Sequence, residues 1–309
     1  MEEQKKILII KTGATGDVVR TTCILRAFRN ASITWLTHAS CIPLFDNDNK
    51  QLAIFPIDEF PDSILTEMYD LVLSLEEDEH CARLASQVHS KKITGVYWND
   101  ALVYTKDAAS WFNMSLVSVY GRTVANEKKQ QNTLSYQHHL YAMLQQSFKG
   151  EPYKIYKPER LQIPFRIGIE ATAGHRWPNK TWTGYKVLAD QLQSYGYHPF
   201  FFERKPSLRE YMAEIAGCSL VISGDTLAMH LAMAYEIPVL ALFNCTSPNE
   251  IYDYPWLHKM ISPLLAEFYY STGSDSAATS AIPVESVMQA FRALWTRFYL
   301  TPNQIMEHV

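Results

Sequence analysis

Residues 5–29 read KKILIIKTGATGDVVRTTCILRAFR, and this stretch decides the fold. Ile7 to Ile10 form a short apolar run, rich in β-branched residues and closed by lysines on both sides. That is the pattern of a strand buried on both faces of a parallel sheet. Residues 18–29 place apolar side chains at 18, 19, 24, 25 and 28, one side of a helix. Between them lies Lys11-Thr12-Gly13-Ala14-Thr15-Gly16-Asp17. Gly13 and Gly16 there permit a tight turn and a close approach by a ligand, and the helix start offers unpaired N–H groups. The loop is not a Walker A motif, because Asp17 follows Gly16 where Lys-Ser/Thr is required. A carboxylate in that position repels phosphate and suits a hydroxyl or a cation. On local pattern alone Asp17 reads equally well as a helix cap.

The same grammar continues outward. Strands are expected at Ser32–His38, Tyr69–Leu75 and Ile93–Tyr97, with a helix at Glu77–His89. Residues 98–133 are irregular and aromatic, and Thr133–Gln146 is helical. Residues 151–164, rich in proline, tyrosine and charge, read as a linker. The alternation then restarts with strands at Phe165–Thr172, His198–Arg204, Leu220–Ser223 and Pro238–Phe243. Helices are expected at Trp182–Ser194, Ser207–Ala216, Thr226–Tyr235 and Ser286–Tyr299. Ser207 and Glu210 have capping-box spacing. Such alternation implies right-handed crossovers and parallel sheets. The expectation is an α/β protein of two Rossmann-like lobes with a cleft between them, residues 1–150 and 165–309. The last helix is expected to pack back on the N-terminal lobe.

Composition narrows the function classes. With Lys+Arg 28 against Asp+Glu 32 the net charge is −4, a poor match to a general nucleic-acid binder. No apolar run reaches transmembrane length, and the start is too acidic and short for a signal peptide. Cys23, Cys41, Cys81, Cys218 and Cys245 are scattered, which suits buried free thiols in a reducing compartment and neither a zinc site nor a disulfide framework.

Three further segments carry candidate chemistry. In Ser223-Gly224-Asp225-Thr226-Leu227-Ala228-Met229-His230 a strand runs straight into a helix, so the first-turn amides from Thr226 to Ala228 face the carboxyl end of the sheet, where open α/β sheets bind anions. His230 lies one turn on from Thr226 and reads either as a site residue or as a structural one. In residues 170–182 (EATAGHRWPNKTW) a strand ends in a loop carrying Thr172, Arg176 and Lys180, suited to a diphosphate. Glu203, at a strand end, can accept from a ribose diol or sit in solvent.

These segments resemble the family-9 glycosyltransferases, the ADP-heptose:lipopolysaccharide heptosyltransferases. The opening strand, Gly-Asp loop and apolar helix look like the start of that family. Residues 206–248 (PSLREYMAEIAGCSLVISGDTLAMHLAMAYEIPVLALFNCTSP) look like its second signature, and RWPNKTW (176–182) like its Lys-x-Trp-Pro segment. The resemblance implies a GT-B fold and an inverting, metal-independent transfer that needs no cofactor. The donor would be a nucleotide sugar, ADP-heptose or a relative, held mainly by the C-terminal lobe. The acceptor would be a hydroxyl of a glycan, a lipid-linked sugar or another molecule, as in lipopolysaccharide core synthesis. It implies Asp17 as general base, Asp225, Thr226 and His230 at the donor diphosphate and sugar, Thr172 at a phosphate and Glu203 at the ribose. Location would be the cytoplasm, free or peripheral at the inner face of the membrane. Leu227 and Asn244 stand where the family has glycines, His175 stands where it has lysine, and the segment between Glu203 and Ser207 is short, as if one β/α unit were missing. A non-catalytic nucleotide-sugar module, or an epimerase or hydrolase on the same scaffold, are the competing readings.

Overall fold

Ile7 to Ile10 do form a central strand, β1 (Lys6–Ile10), every apolar residue of which is buried. The computed structural model describes residues 4–46, 50–159 and 163–300. Among them the chain divides into two units, Met1–Tyr156 with Asn249–Tyr252, and Lys157–Pro248 with Asp253–Val309.

In the first unit β1 is flanked by β2 (Ser32–Thr37) and β4 (Leu71–Ser74); β3 (Leu52–Pro56), β5 (Ile93–Trp98) and β6 (Leu102–Tyr104) complete a six-stranded sheet of order β3-β2-β1-β4-β5-β6. All pairs are parallel except β5 with β6. A strand covered on both sides needs no polar alternation, which is why β1 and β4 were legible. The edge strand β3 was not expected: its run is short and ends in Pro56, a residue sheets tolerate at an edge. The antiparallel β6, only three residues long, carries no legible strand pattern.

The expected helix at 18–29 is corrected. An α-helix spans Thr15–Thr21, and a 3₁₀ segment spans Thr22–Arg26. Thr22 Oγ1 donates to the Val19 carbonyl at 2.6 Å, a local bond that competes with α-helical geometry at this junction. Gly16 and Asp17 are therefore inside the helix, and its cap position is Ala14. The charged run expected to be irregular is helical, Gly121–Gln131. The following helix, Tyr136–Met143, starts at Ser135, whose hydroxyl accepts from His138 N–H.

The second unit holds β7 (Arg166–Glu170), β8 (His198–Phe201), β9 (Leu220–Gly224), β10 (Val239–Phe243) and β11 (Leu257–Ile261), in the parallel order β11-β10-β9-β7-β8. Compared with the first sheet, the position beyond β8 holds no strand among the described residues. That matches the short 203–207 segment, where β8 passes almost directly into the helix Leu208–Ala216. Ser207 caps that helix, as its spacing from Glu210 suggests: its Oγ accepts from Glu210 N–H, and the hydroxyl donates to Glu210 Oε1. The edge strand β11 was unexpected because His258 and Lys259 interrupt its apolar run. The terminal helix, Val284–Tyr299, buries Val287, Met288, Phe291, Leu294 and Trp295 with Ile167, Ile169 and Leu188 of its own unit. Its apolar stripe thus joins the core of its own unit.

The five cysteines are free and buried. No helix among the described residues is long and apolar enough to cross a membrane.

Candidate functional site

The chemistry-bearing residues gather at the carboxyl end of each sheet, and each unit is described by itself. In the first unit the loop after β1 is tied down by Glu76, which follows the neighbouring strand β4. One oxygen, Glu76 Oε1, accepts from Thr12 N–H at 2.7 Å, Gly13 N–H at 3.1 Å and Lys11 Nζ at 2.8 Å. Lys11 Nζ also donates to the Gly13 carbonyl. Burial is the largest influence on Lys11 and opposes its charge, but Glu76, Tyr136 and Asp17 together hold the lysine above its ordinary pKa. The Gly13 N–H, in the loop expected to let a ligand approach, is therefore already donated, and neither Gly13 nor Gly16 takes a positive φ. The loop is closed by bonds to its own groups and to Glu76.

Asp17 projects from the first turn of the helix Thr15–Thr21. Its Oδ1 meets Arg20 Nη2 at 2.8 Å, and the side chain stays 39% exposed while that of Arg20 is 13% exposed. The Arg20 guanidinium carbon lies 4.0 Å from the centroid of the Tyr136 ring, and its Nη1 lies 3.8 Å from Glu250 Oε2. Glu250, carried in by the segment Asn249–Tyr252, receives Lys129 Nζ at 2.9 Å. Tyr136 OH shares a hydrogen bond with Thr21 Oγ1, and Trp111 packs edge-on against Tyr136. Burial keeps the Tyr136 hydroxyl protonated, raising its pKa. The Asp17–Arg20 spacing, i to i+3, was readable from the sequence. Glu76, Tyr136, Lys129 and Glu250, all far from Asp17 along the chain, were not.

In the second unit the register pairs Glu170 with Ser223, so β7 and β9 end side by side. Lys180 Nζ donates to the Asp225 carbonyl at 2.8 Å and to Asp225 Oδ2 at 2.9 Å. His230 Nε2 lies 3.7 Å from Asp225 Oδ1, an ion-pair distance too long for a hydrogen bond. Burial pushes the Asp225 pKa up, yet Lys180 and His230 together hold the carboxyl well below its usual range. Thr226 takes the cap position of the helix Leu227–Ala234, its hydroxyl bonded to Ser223 Oγ at 2.8 Å. Leu227 and buried Ala228 supply first-turn amides, and Leu227 is half-buried.

Of the departures from family glycines, Asn244 has a local partner. Asn244 Nδ2 donates to the Thr181 carbonyl at 2.7 Å and so ties the loop before it to β10. Gly224 is a true requirement: a Cβ there would lie 2.3 Å from the Lys180 carbonyl oxygen. Gly224→Ala is expected to displace the Lys180 loop and destabilise the protein by about 1–3 kcal/mol. The midpoint of denaturant unfolding measures this, and an unchanged midpoint contradicts it.

Other expected residues are dispersed. Thr172 Oγ1 and N–H both donate to Glu170 Oε1, whose other oxygen accepts from Tyr211 OH at 2.7 Å. Arg176 is exposed, its guanidinium carbon 5.5 Å from the Trp177 ring centroid. Glu203 is exposed and lies beyond β8, which ends at Phe201, so it is not at the strand end expected. The structure joins Lys180, Asp225, Thr226 and His230 in one cluster, and Arg176 and Glu203 stand apart from its hydrogen bonds and ion pairs.

Residues 204–269 match the model of glycosyltransferase family 9 (heptosyltransferase). Among solved structures the fold is similar to a family-9 glycosyl transferase from Veillonella parvula DSM 2008, with a TM-score of 0.67 and 17% identity over 96% of this chain and 99% of that one. It is similar to E. coli ADP-heptose lps heptosyltransferase II, with a TM-score of 0.56 and 20% identity over 94% and 99%. It is likewise similar to E. coli heptosyltransferase WaaC with ADP, with a TM-score of 0.56 and 16% identity over 94% and 99%. No curated protein matches the chain. The family-9 resemblance read from the motifs is thereby supported over residues 204–269, and the α/β fold with two sheets of mainly parallel strands is similar to that of heptosyltransferase structures.

Proposed function

We propose that the protein is an inverting, metal-independent glycosyltransferase that moves heptose from ADP-heptose to a hydroxyl of a glycan, lipid-linked sugar or related acceptor, in the cytoplasm or at the inner face of the membrane. The observation that carries this reading is the Lys180–Asp225–His230 cluster at the start of the helix Leu227–Ala234, a helix that lies within the stretch matching the family. A helix start with fixed cations beside it is suited to a diphosphate.

Each residue then has a task. Asp17 accepts the proton of the acceptor hydroxyl as its oxygen attacks the anomeric carbon. The bond from that carbon to the diphosphate oxygen breaks, and its electron pair leaves with ADP. One displacement inverts the configuration. The amides of Leu227 and Ala228 and the Lys180 ammonium, fixed in advance, take up the developing charge without reorganisation, and the exposed Arg176 swings in to join them. Asp225 serves by orienting Lys180 and His230 more than by meeting the donor, since a bare carboxylate would repel phosphate. Thr172 reaches a phosphate by exchanging its bond to Glu170, and Glu203 meets the ribose.

The test is purified protein with ADP-heptose, with and without a panel of heptose- and hexose-terminated glycans, in the presence of EDTA. The expected result is ADP release that depends on an acceptor, persists in EDTA and gives the inverted anomer. ADP release from donor alone would establish a hydrolase, and conversion of the donor to an epimeric nucleotide sugar without acceptor would establish an epimerase. Donor binding with no release under any acceptor would establish a binding module.

A further inference from the structure

We propose that Arg20 is the positioning residue of the reaction, fixing the Asp17 carboxylate so that it meets the acceptor hydroxyl in one orientation. This rests on the reading of Asp17 as the base.

The geometry around Arg20 exceeds what a helix-surface ion pair requires. Exposed i,i+3 pairs are loosely held and contribute little to stability. Arg20 instead is mostly buried, and elements distant in sequence hold it. The helix Tyr136–Met143 places the Tyr136 ring 4.0 Å from the guanidinium carbon. The segment Asn249–Tyr252 places Glu250 Oε2 3.8 Å from Nη1. Lys129 takes the nearer share of Glu250 at 2.9 Å, so that buried carboxylate has its own counter-charge. Of the two carboxylates beside Arg20, Asp17 is the nearer, 2.8 Å from Nη2. A guanidinium fixed in this way has lost its rotamer freedom during folding, so it holds Asp17 without a further entropic cost at the moment of reaction. The division of exposure fits the role: the orienting group is covered and the carboxylate is reachable.

The segment that brings Glu250 follows β10 directly, through Asn244 to Pro248, yet it is part of the first unit. Ile251 is buried there, Asn249 Nδ2 donates to the Asn132 carbonyl at 3.0 Å, and Tyr252 packs on Phe148. Arg20 is therefore held by a well-anchored frame rather than by a passing contact.

The experiment compares Arg20→Gln, Arg20→Lys and Arg20→Ala, each with its kcat, its KM for acceptor and its ADP affinity. Arg20→Gln is expected to lower kcat by about 10–100-fold, the scale of a misplaced reacting group, with ADP affinity unchanged. Arg20→Lys, which keeps the charge without the planar fork, should fall between. Guanidinium ion added at millimolar concentration should restore part of the kcat of Arg20→Ala and leave Arg20→Gln unaffected. In an Asp17→Asn background Arg20→Gln should cause no additional loss, because it acts through Asp17. Full activity of Arg20→Gln, or an equal loss with and without Asp17, would overturn the inference. If Asp17→Asn itself retains full turnover, the reading of the base fails instead, so the two failures are distinguishable. Thermal unfolding and ADP binding of each variant establish that it is folded.

Discussion

Asp17→Asn is expected to lower kcat by about 10²–10⁴-fold, the usual contribution of a positioned general base, while ADP affinity stays at the level of the unmodified protein. The substitution keeps the shape and removes the negative charge. Arg20 can still meet the carbonyl oxygen of the introduced amide, so the cradle formed with Tyr136 and Glu250 is retained. The proton of the attacking hydroxyl then has no base to receive it on that turn of the helix. Steady-state transfer assays over a range of acceptor concentrations, paired with calorimetric ADP titration, measure both quantities. Normal turnover would remove Asp17 from the mechanism, and loss of ADP binding together with turnover would point to a structural role.

The second large effect is expected at Lys180. Lys180→Met takes from the Asp225 carboxylate its closest cation and leaves His230 beside it. Breaking a buried pair from one side costs about 3–5 kcal/mol, and the low end applies here because both side chains keep some exposure. The pH dependence follows from the lowered pKa of Asp225. A carboxyl whose folded pKa lies below its unfolded value contributes stability that is complete above the unfolded value, about 4, and is lost as pH falls through the folded one. Removing Lys180 raises the folded value and shrinks that contribution. The acid limb of unfolding should therefore move to higher pH, and the variant should also bind ADP more weakly. Lys180→Met with Asp225→Asn should recover part of the stability but not the ADP affinity. Acid titration followed by circular dichroism checks the limb, and an unmoved limb would show that Lys180 does not hold Asp225 ionised.

What could be read in advance divides along a physical line. The strands β1, β4, β9 and β10 are short apolar runs, and the helix Leu208–Ala216 carries its own cap in Ser207; such features are written in neighbouring residues. Edge strands were lost because half-exposed positions accept His258, Lys259 or Pro56, which break the apolar signal. The apolar pattern starts the first helix at residue 18 and the structure starts it at Thr15, since Thr15 and Gly16 look like loop residues until the turn is built. Asp17, Asp225, Thr226 and His230 were picked out by motif, and Lys180 by its position in the loop after β7.

The sequence by itself determined that two β/α sheets form and that a carboxylate and a helix start would sit at their carboxyl ends. Both follow from interactions between residues a few positions apart. Only the tertiary structure decided the partners: Glu76 knotting the Gly13 loop, Lys180 and His230 converging on Asp225, and Arg20 lodged among Tyr136, Glu250 and Asp17. Several of those pairings join groups far apart along the chain, and the charges in them become costly or useful only once burial has removed the water between them.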